Sequence, residues 1–175
     1  MTLTTEWQML NQAYLGSSYG DLYIRIYARY ISQDETNLTS VVQYQARAYF
    51  SGSSYIYDNA GNGNVTGTGA TTTSFGAGGQ LPSGETPLAT IQGTVNHNPD
   101  TGEASISASA TLNYPNWSWS ATASGSANLP TIETATLHLG VSGVWKKATP
   151  YIGVNGTWKK CKAYLGVSGN WKKGV

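Results

Sequence analysis

Apolar and polar positions alternate from Leu22 to Ile31, with Leu22, Ile24, Ile26, Ala28 and Tyr30 on one side and Tyr23, Arg25, Tyr27 and Arg29 on the other. A period of two marks a half-buried β-strand, because successive side chains leave the pleat on opposite faces. Val41 to Phe50 repeats the pattern, with Val42, Tyr44, Ala46, Ala48 and Phe50 opposing Gln43, Gln45 and Arg47. Between them the polar run Asp34-Glu35-Thr36-Asn37 predicts a turn. Weaker alternations predict strands at Thr5 to Leu15, Tyr55 to Asp58, Leu88 to Asn96, Glu103 to Leu112 and Trp117 to Leu129. Asn98-Pro-Asp-Thr-Gly102 predicts a further turn, since proline pre-sets φ and the closing glycine accepts the left-handed conformation. About seven strands at this spacing, with no stretch of helical period, predict an all-β chain whose residues 1–132 form an Ig-like or Greek-key-type β-sandwich.

A different pattern governs the end of the chain. Leu137-His-Leu-Gly-Val-Ser-Gly-Val-Trp-Lys-Lys147, Pro150-Tyr-Ile-Gly-Val-Asn-Gly-Thr-Trp-Lys-Lys160 and Ala163-Tyr-Leu-Gly-Val-Ser-Gly-Asn-Trp-Lys-Lys173 repeat at a period of thirteen. Such fidelity in so short a unit implies one element used three times. In each copy Ser142-Gly143, Asn155-Gly156 or Ser168-Gly169 sits between two short apolar runs, the signal of a two-residue hairpin turn. Residues 133–175 are therefore expected to form a module of three β-hairpins, joined as a six-stranded meander or arranged with pseudo-threefold symmetry. The pairing that follows sets Gly166 opposite Trp171, Tyr164 opposite Lys173 and Leu165 opposite Lys172, and transfers to the other copies. An indole lies flat over a partner strand where that partner has no side chain, which explains the glycine opposite each tryptophan.

Between Asn59 and Gly84 the chain is rich in Gly, Ser, Thr and Asn, and predicts either a mobile loop or two thin edge strands. The insertion hairpin of a pore-forming toxin is disfavoured there, because the alternating lipid-facing apolar residues are missing.

The net charge of +1 conceals a split: residues 1–135 carry three arginines against nine carboxylates (3 − 9 = −6), and residues 136–175 carry seven lysines and no acid. An acidic body and a basic tail either attract one another or serve separate partners. Cys161 is the only cysteine, so no intrachain disulfide is available, and it is expected to be a small tolerated residue. The opening Met-Thr-Leu-Thr-Thr-Glu-Trp has neither the basic start nor the apolar core of a signal peptide. Without a secretion route, the sequons at Asn37, Asn64, Asn116 and Asn155 are not expected to be glycosylated.

Catalytic patterns are missing. The carboxylates are scattered, with no pair set for acid and base roles. His97 beside a turn and His138 at the position of Tyr151 and Tyr164 read as structural polar residues. Neither a Cys/His ligand spacing nor the helix and lysine of a phosphate cradle is present around Gly61-Asn-Gly63 or Gly67-Thr-Gly69. Asp58, Asn59, Asn62 and Asn64 offer oxygens suited to calcium, but a flexible turn uses the same residues, so no metal and no cofactor is expected.

Gly93-Thr-Val-Asn-His-Asn-Pro-Asp-Thr-Gly102, Ala104-Ser-Ile-Ser-Ala-Ser-Ala110 and Ser124-Gly-Ser-Ala-Asn-Leu-Pro-Thr-Ile132 together resemble the β-sandwich domain of minor structural proteins of tailed bacteriophages. The likeness spans residues 20–132 and departs from the pattern at Pro99-Asp-Thr-Gly102, where the turn has one residue more. The Gly-Val-x-Gly-x-Trp-Lys repeats resemble modules at the ends of phage tail and other virion proteins. The resemblance implies a non-enzymatic virion component (tail, fibre or decoration), assembled in the host cytoplasm. Other virion proteins and further copies of the chain are its expected partners, a trimer being favoured because the hairpins leave open strand edges. A carbohydrate-binding module or lectin recognising bacterial surface glycans is the alternative. The candidate ligand-binding residues are Trp145, Tyr151, Trp158, Lys160, Tyr164, Trp171 and Lys173, with indoles to stack on sugar rings and lysines to meet anionic groups of a host cell wall. The competing and favoured reading makes the tryptophans the core of the small module. Neither nucleic-acid binding nor membrane insertion is expected, since the basic region is short and the rest would repel phosphate.

Overall fold

The computed structural model describes residues 1–17, 20–134, 137–148, 150–161, 164–167 and 170–173, with backbone alone at 137–141, 145–147, 160, 164–167 and 170–173. The chain divides into two compact units: residues 1–98 with 103–132, and residues 99–102 with 133–175.

The first unit is a sandwich of two four-stranded antiparallel sheets. One sheet has the order β1-β2-β3-β6, built from β1 (Gln8–Ser17), β2 (Asp21–Asp34), β3 (Thr39–Asp58) and β6 (Gly79–Asn96). The other has the order β5-β4-β7-β8, from β4 (Asn62–Gly67), β5 (Thr73–Gly76), β7 (Ser105–Tyr114) and β8 (Trp119–Asn128). Because β3 pairs with β6 and β4 with β7, the crossings from β3 to β4 and from β6 to β7 both pass between the sheets in Greek-key fashion. The amino-terminal segment extends the second sheet, where the Leu3 N–H donates to the Asn128 carbonyl.

The alternation in the sequence selects the buried faces. Leu22, Ile24, Ile26 and Ala28 of β2, and Val42, Tyr44, Ala46, Ala48 and Phe50 of β3, are all fully buried, as the period-two pattern requires. Across from them stand Val65 of β4 and Ile106, Ala108, Ala110, Leu112 and Tyr114 of β7. Large residues face small ones. The Tyr44 ring lies over Gly67, where an added Cβ would come within 2.5 Å of the ring, and its hydroxyl donates to the Thr68 carbonyl at 2.8 Å. Trp119 covers Gly16 in the same way. Such interdigitation is what close packing of two sheets demands.

Two sequence expectations change here. The stretch 59–84 is not a loop: β4 within it is internal, flanked by β5 and β7, while β5 and the start of β6 lie at the edges of their sheets. The predicted strands at Val41 to Phe50 and Tyr55 to Asp58 are one strand, β3, with a register shift between Phe50 and Tyr55 that absorbs the Ser and Gly residues between them.

The second unit carries three hairpins, each a separate two-stranded sheet: β9 (Leu137–Val141) with β10 (Val144–Ala148), β11 (Tyr151–Val154) with β12 (Thr157–Lys160), and β13 (Tyr164–Val167) with β14 (Asn170–Lys173). The expected six-stranded meander is not seen: among the described residues no strand of one hairpin pairs with a strand of another. The pairing within each hairpin is the one the repeats imply. Gly140 faces Trp145, Gly153 faces Trp158 and Gly166 faces Trp171, while Tyr151 faces Lys160 and Tyr164 faces Lys173. Ser142 and Gly143 have φ of 53° and 78°, and Asn155 and Gly156 have 48° and 76°. Two successive positive φ values define the type I′ turn, whose twist matches that of the strands. The third turn, Ser168-Gly169, lies outside the described residues.

Candidate functional site

Of the seven candidate residues in the repeats, the side chains of Tyr151 and Trp158 are described; those of Trp145, Lys160, Tyr164, Trp171 and Lys173 lie outside the described residues. Both stand in the open, Tyr151 at 56% exposure and Trp158 at 74%. Trp158 therefore does not form the core expected of it. What the indole covers is its own partner strand, with Cζ3 only 3.8 Å from where a Gly153 Cβ would be. On the opposite face Ile152 and Val154 are exposed as well. Among the described side chains of the hairpins none is buried, because a two-stranded ribbon has no second layer to hide either face.

A second candidate surface, missed in the sequence reading, lies on the solvent side of the first sheet. The period that buries Ile24 and Tyr44 turns Tyr23, Arg25, Tyr27, Arg29, Gln43, Gln45, Arg47 and Tyr49 outward together. All three arginines of the chain are among them. Cross-strand register sets Tyr14, Tyr23, Tyr49 and Glu85 in one row and Gln12, Arg25 and Arg47 in the next. Arg25 and Arg47 both bind the Glu85 carboxylate, at 2.7 and 2.9 Å, and the Tyr27 hydroxyl donates to the same group. Burial raises the Glu85 pKa, but the hydrogen bonds from Tyr27, Arg25 and Arg47 outweigh it and leave the carboxyl below its ordinary value. The Tyr27 hydroxyl moves up, through burial and its bond to Glu85.

The guanidiniums also stack on rings. Arg25 lies 3.8 Å over Tyr49, Arg47 4.2 Å over Tyr27, and Arg29 4.6 Å over Trp7. Gln12 and Gln45 accept from the Nε of Arg25 and Arg47, and Gln43 accepts twice from Arg29. The amide ladder continues from Gln43 to Gln92 and from Gln45 to Thr90. The outward residues of β2 and β3 were legible as a polar face. Their grouping with Trp7, just before β1, Tyr14 of β1 and Glu85 of β6 was not.

His97 has the structural setting expected of it, buried with its Nε2 2.7 Å from the equally buried Ser40 Oγ. Asp58 is buried too, its Oδ1 accepting from the Ala60 N–H and the Asn116 amide. Among the described residues no group of three or more His, Cys, Asp or Glu is placed to hold a metal ion. Among the described residues no helix is long and apolar enough to cross a membrane, a statement about helices and not about β-barrels. No protein-family model matches this sequence, and no curated protein matches it.

Proposed function

We propose that this chain is a non-enzymatic structural component of a tailed-bacteriophage particle, a tail, fibre or decoration protein whose repeat hairpins contact the host surface. The observation that carries this reading is the exposure of Tyr151 and Trp158 on a hairpin whose sequence is used three times. A repeated ribbon with aromatic residues open to solvent, attached to a sandwich with its own core, suits a body that docks and a tip that adheres. Open hairpin edges and faces also favour assembly as a homotrimer, in which copies cover one another. Mass spectrometry and immunogold labelling of purified particles test the reading directly. Particles free of the protein refute it, and sedimentation showing a stable monomer refutes the trimer.

The second reading, a carbohydrate-binding module or lectin, is favoured by the same indole, since a tryptophan with most of its face free is suited to stacking on a sugar ring. It predicts binding to isolated bacterial cell walls that disappears in Trp158→Ala. A purely architectural component leaves the walls unbound.

A further inference from the structure

We propose that the outer face of the first sheet is a binding platform for a carboxylated polysaccharide, a polyhydroxyl chain bearing uronic-acid groups. Its residues all belong to the first unit, and the proposal does not depend on the chain belonging to a particle.

The charge of the face points to an anion. Residues 1–135 contain no lysine, and their three arginines are all here, against Glu85 and, at the end of the same face, Asp21 (3 − 2 = +1), within a body of net charge −6. How the face holds a carboxylate is visible in Glu85 itself, gripped by two guanidiniums and a phenol. Arg29, by contrast, is held by the neutral amide of Gln43 and the ring of Trp7. Gln43 occupies its Nε and Nη2 edge, which leaves the Nη1 end of the guanidinium to meet an anion from outside, and the anion this face already holds is a carboxylate, Glu85. The bonds described use two of the five N–H donors on each guanidinium.

Size and chemistry favour a polysaccharide over a protein. Four strands at ~4.8 Å and alternate residues at ~6.7 Å make a patch of roughly 15 by 20 Å. That is well below the ~800 Å² each partner contributes to a standard protein interface. A second copy docked face to face would oppose arginine to arginine. Tyrosine hydroxyls and the amides of Gln12, Gln43, Gln45 and Gln92 line the same flat surface and suit a ligand dense in hydroxyls. Stacking has already ordered the guanidiniums, so binding need not order them again.

The test is titration of the full-length protein with polygalacturonate, using dextran as the neutral control and polyphosphate and poly(dT) as phosphate controls. Polygalacturonate is expected to bind, dextran not, and both phosphate polymers more weakly. Arg29→Gln is expected to weaken polygalacturonate binding at least tenfold at unchanged melting temperature. Gln43→Glu, which adds a carboxylate beside Arg29 and leaves every arginine in place, is expected to do the same should Arg29→Gln fail to fold. Three results each overturn the proposal: no binding of polygalacturonate, tighter binding of either phosphate polymer, or less than a twofold change in both variants. The last would assign the binding to the lysines of the repeats.

Discussion

Trp158 separates a core residue from a platform residue, and the structure sets the magnitude. About three-quarters of the side chain is exposed, and part of the remainder lies over Gly153. If a tryptophan presents roughly 250 Å², Trp158→Ala uncovers about 65 Å², worth ~1.6 kcal/mol at ~25 cal/mol per Å². That figure is an upper bound, because a real unfolded chain already hides part of the same surface. A tryptophan in a core costs about 3–5 kcal/mol when truncated. The assay is thermal and urea unfolding of the full-length protein, dilute enough to be monomeric, with acrylamide quenching of tryptophan emission alongside. Trp158→Ala is expected to leave the main transition in place and to remove a quencher-accessible, red-shifted component. A loss of 3 kcal/mol or more, about the core value, would refute the reasoning. Gly153 supplies the companion test. A Cβ there meets Trp158 Cζ3 at 3.8 Å, an ordinary contact, so Gly153→Ala is expected to be tolerated and to add up to ~0.5–1 kcal/mol by restricting the unfolded chain. Gly153→Val places methyl groups in that gap and must tilt the indole, so unaltered emission in this variant would overturn the packing of Trp158 on Gly153.

Gly67→Ala sets a Cβ 2.5 Å from the buried Tyr44 ring and is expected to cost about 1–3 kcal/mol by urea unfolding, with Tyr44→Leu relieving part of the loss; additive effects would show that the two residues do not meet. Glu85 titrates below its ordinary 4.5 in the folded state, so its ion pairs contribute stability in full above about pH 4.5, and that contribution is lost as pH falls through the lowered value. Wild type and Glu85→Gln should therefore differ near neutrality and converge in acid, and a difference that persists in acid would show that charge is not the cause. Tyr114 is pushed up to about 12 by burial and by Asp58, so its neutral form contributes stability that is intact below pH 10 and lost as pH rises through about 12. Unfolding measured across that range should show a shallower decline in Tyr114→Phe, and an identical slope would contradict the assignment.

Local repetition was enough to read much of this protein. The period of two named the buried faces from Leu22 to Ala28 in β2 and from Val42 to Phe50 in β3, since the pleat leaves no other choice once one face is apolar; Tyr30, beside a register shift, is only partly buried. The Ser-Gly and Asn-Gly pairs fixed the hairpin registers, because a two-residue turn with positive φ at both positions admits one pairing of the strands it joins. Both are short-range constraints carried by neighbouring residues. The partnership of β3 with β6 and of β4 with β7 is long-range, and nothing near β4, a Gly- and Asn-rich strand, signals that it lies inside a sheet. The exposure of Trp158 was equally out of reach, because an indole is core or surface according to what covers it, and among the described residues no further strand pairs with its hairpin. The arginine face shows the same division. Its members on β2 and β3 share a face by local alternation, but Trp7, Tyr14 and Glu85 join them only because folding sets β1, with the residue that precedes it, and β6 on either side of that hairpin.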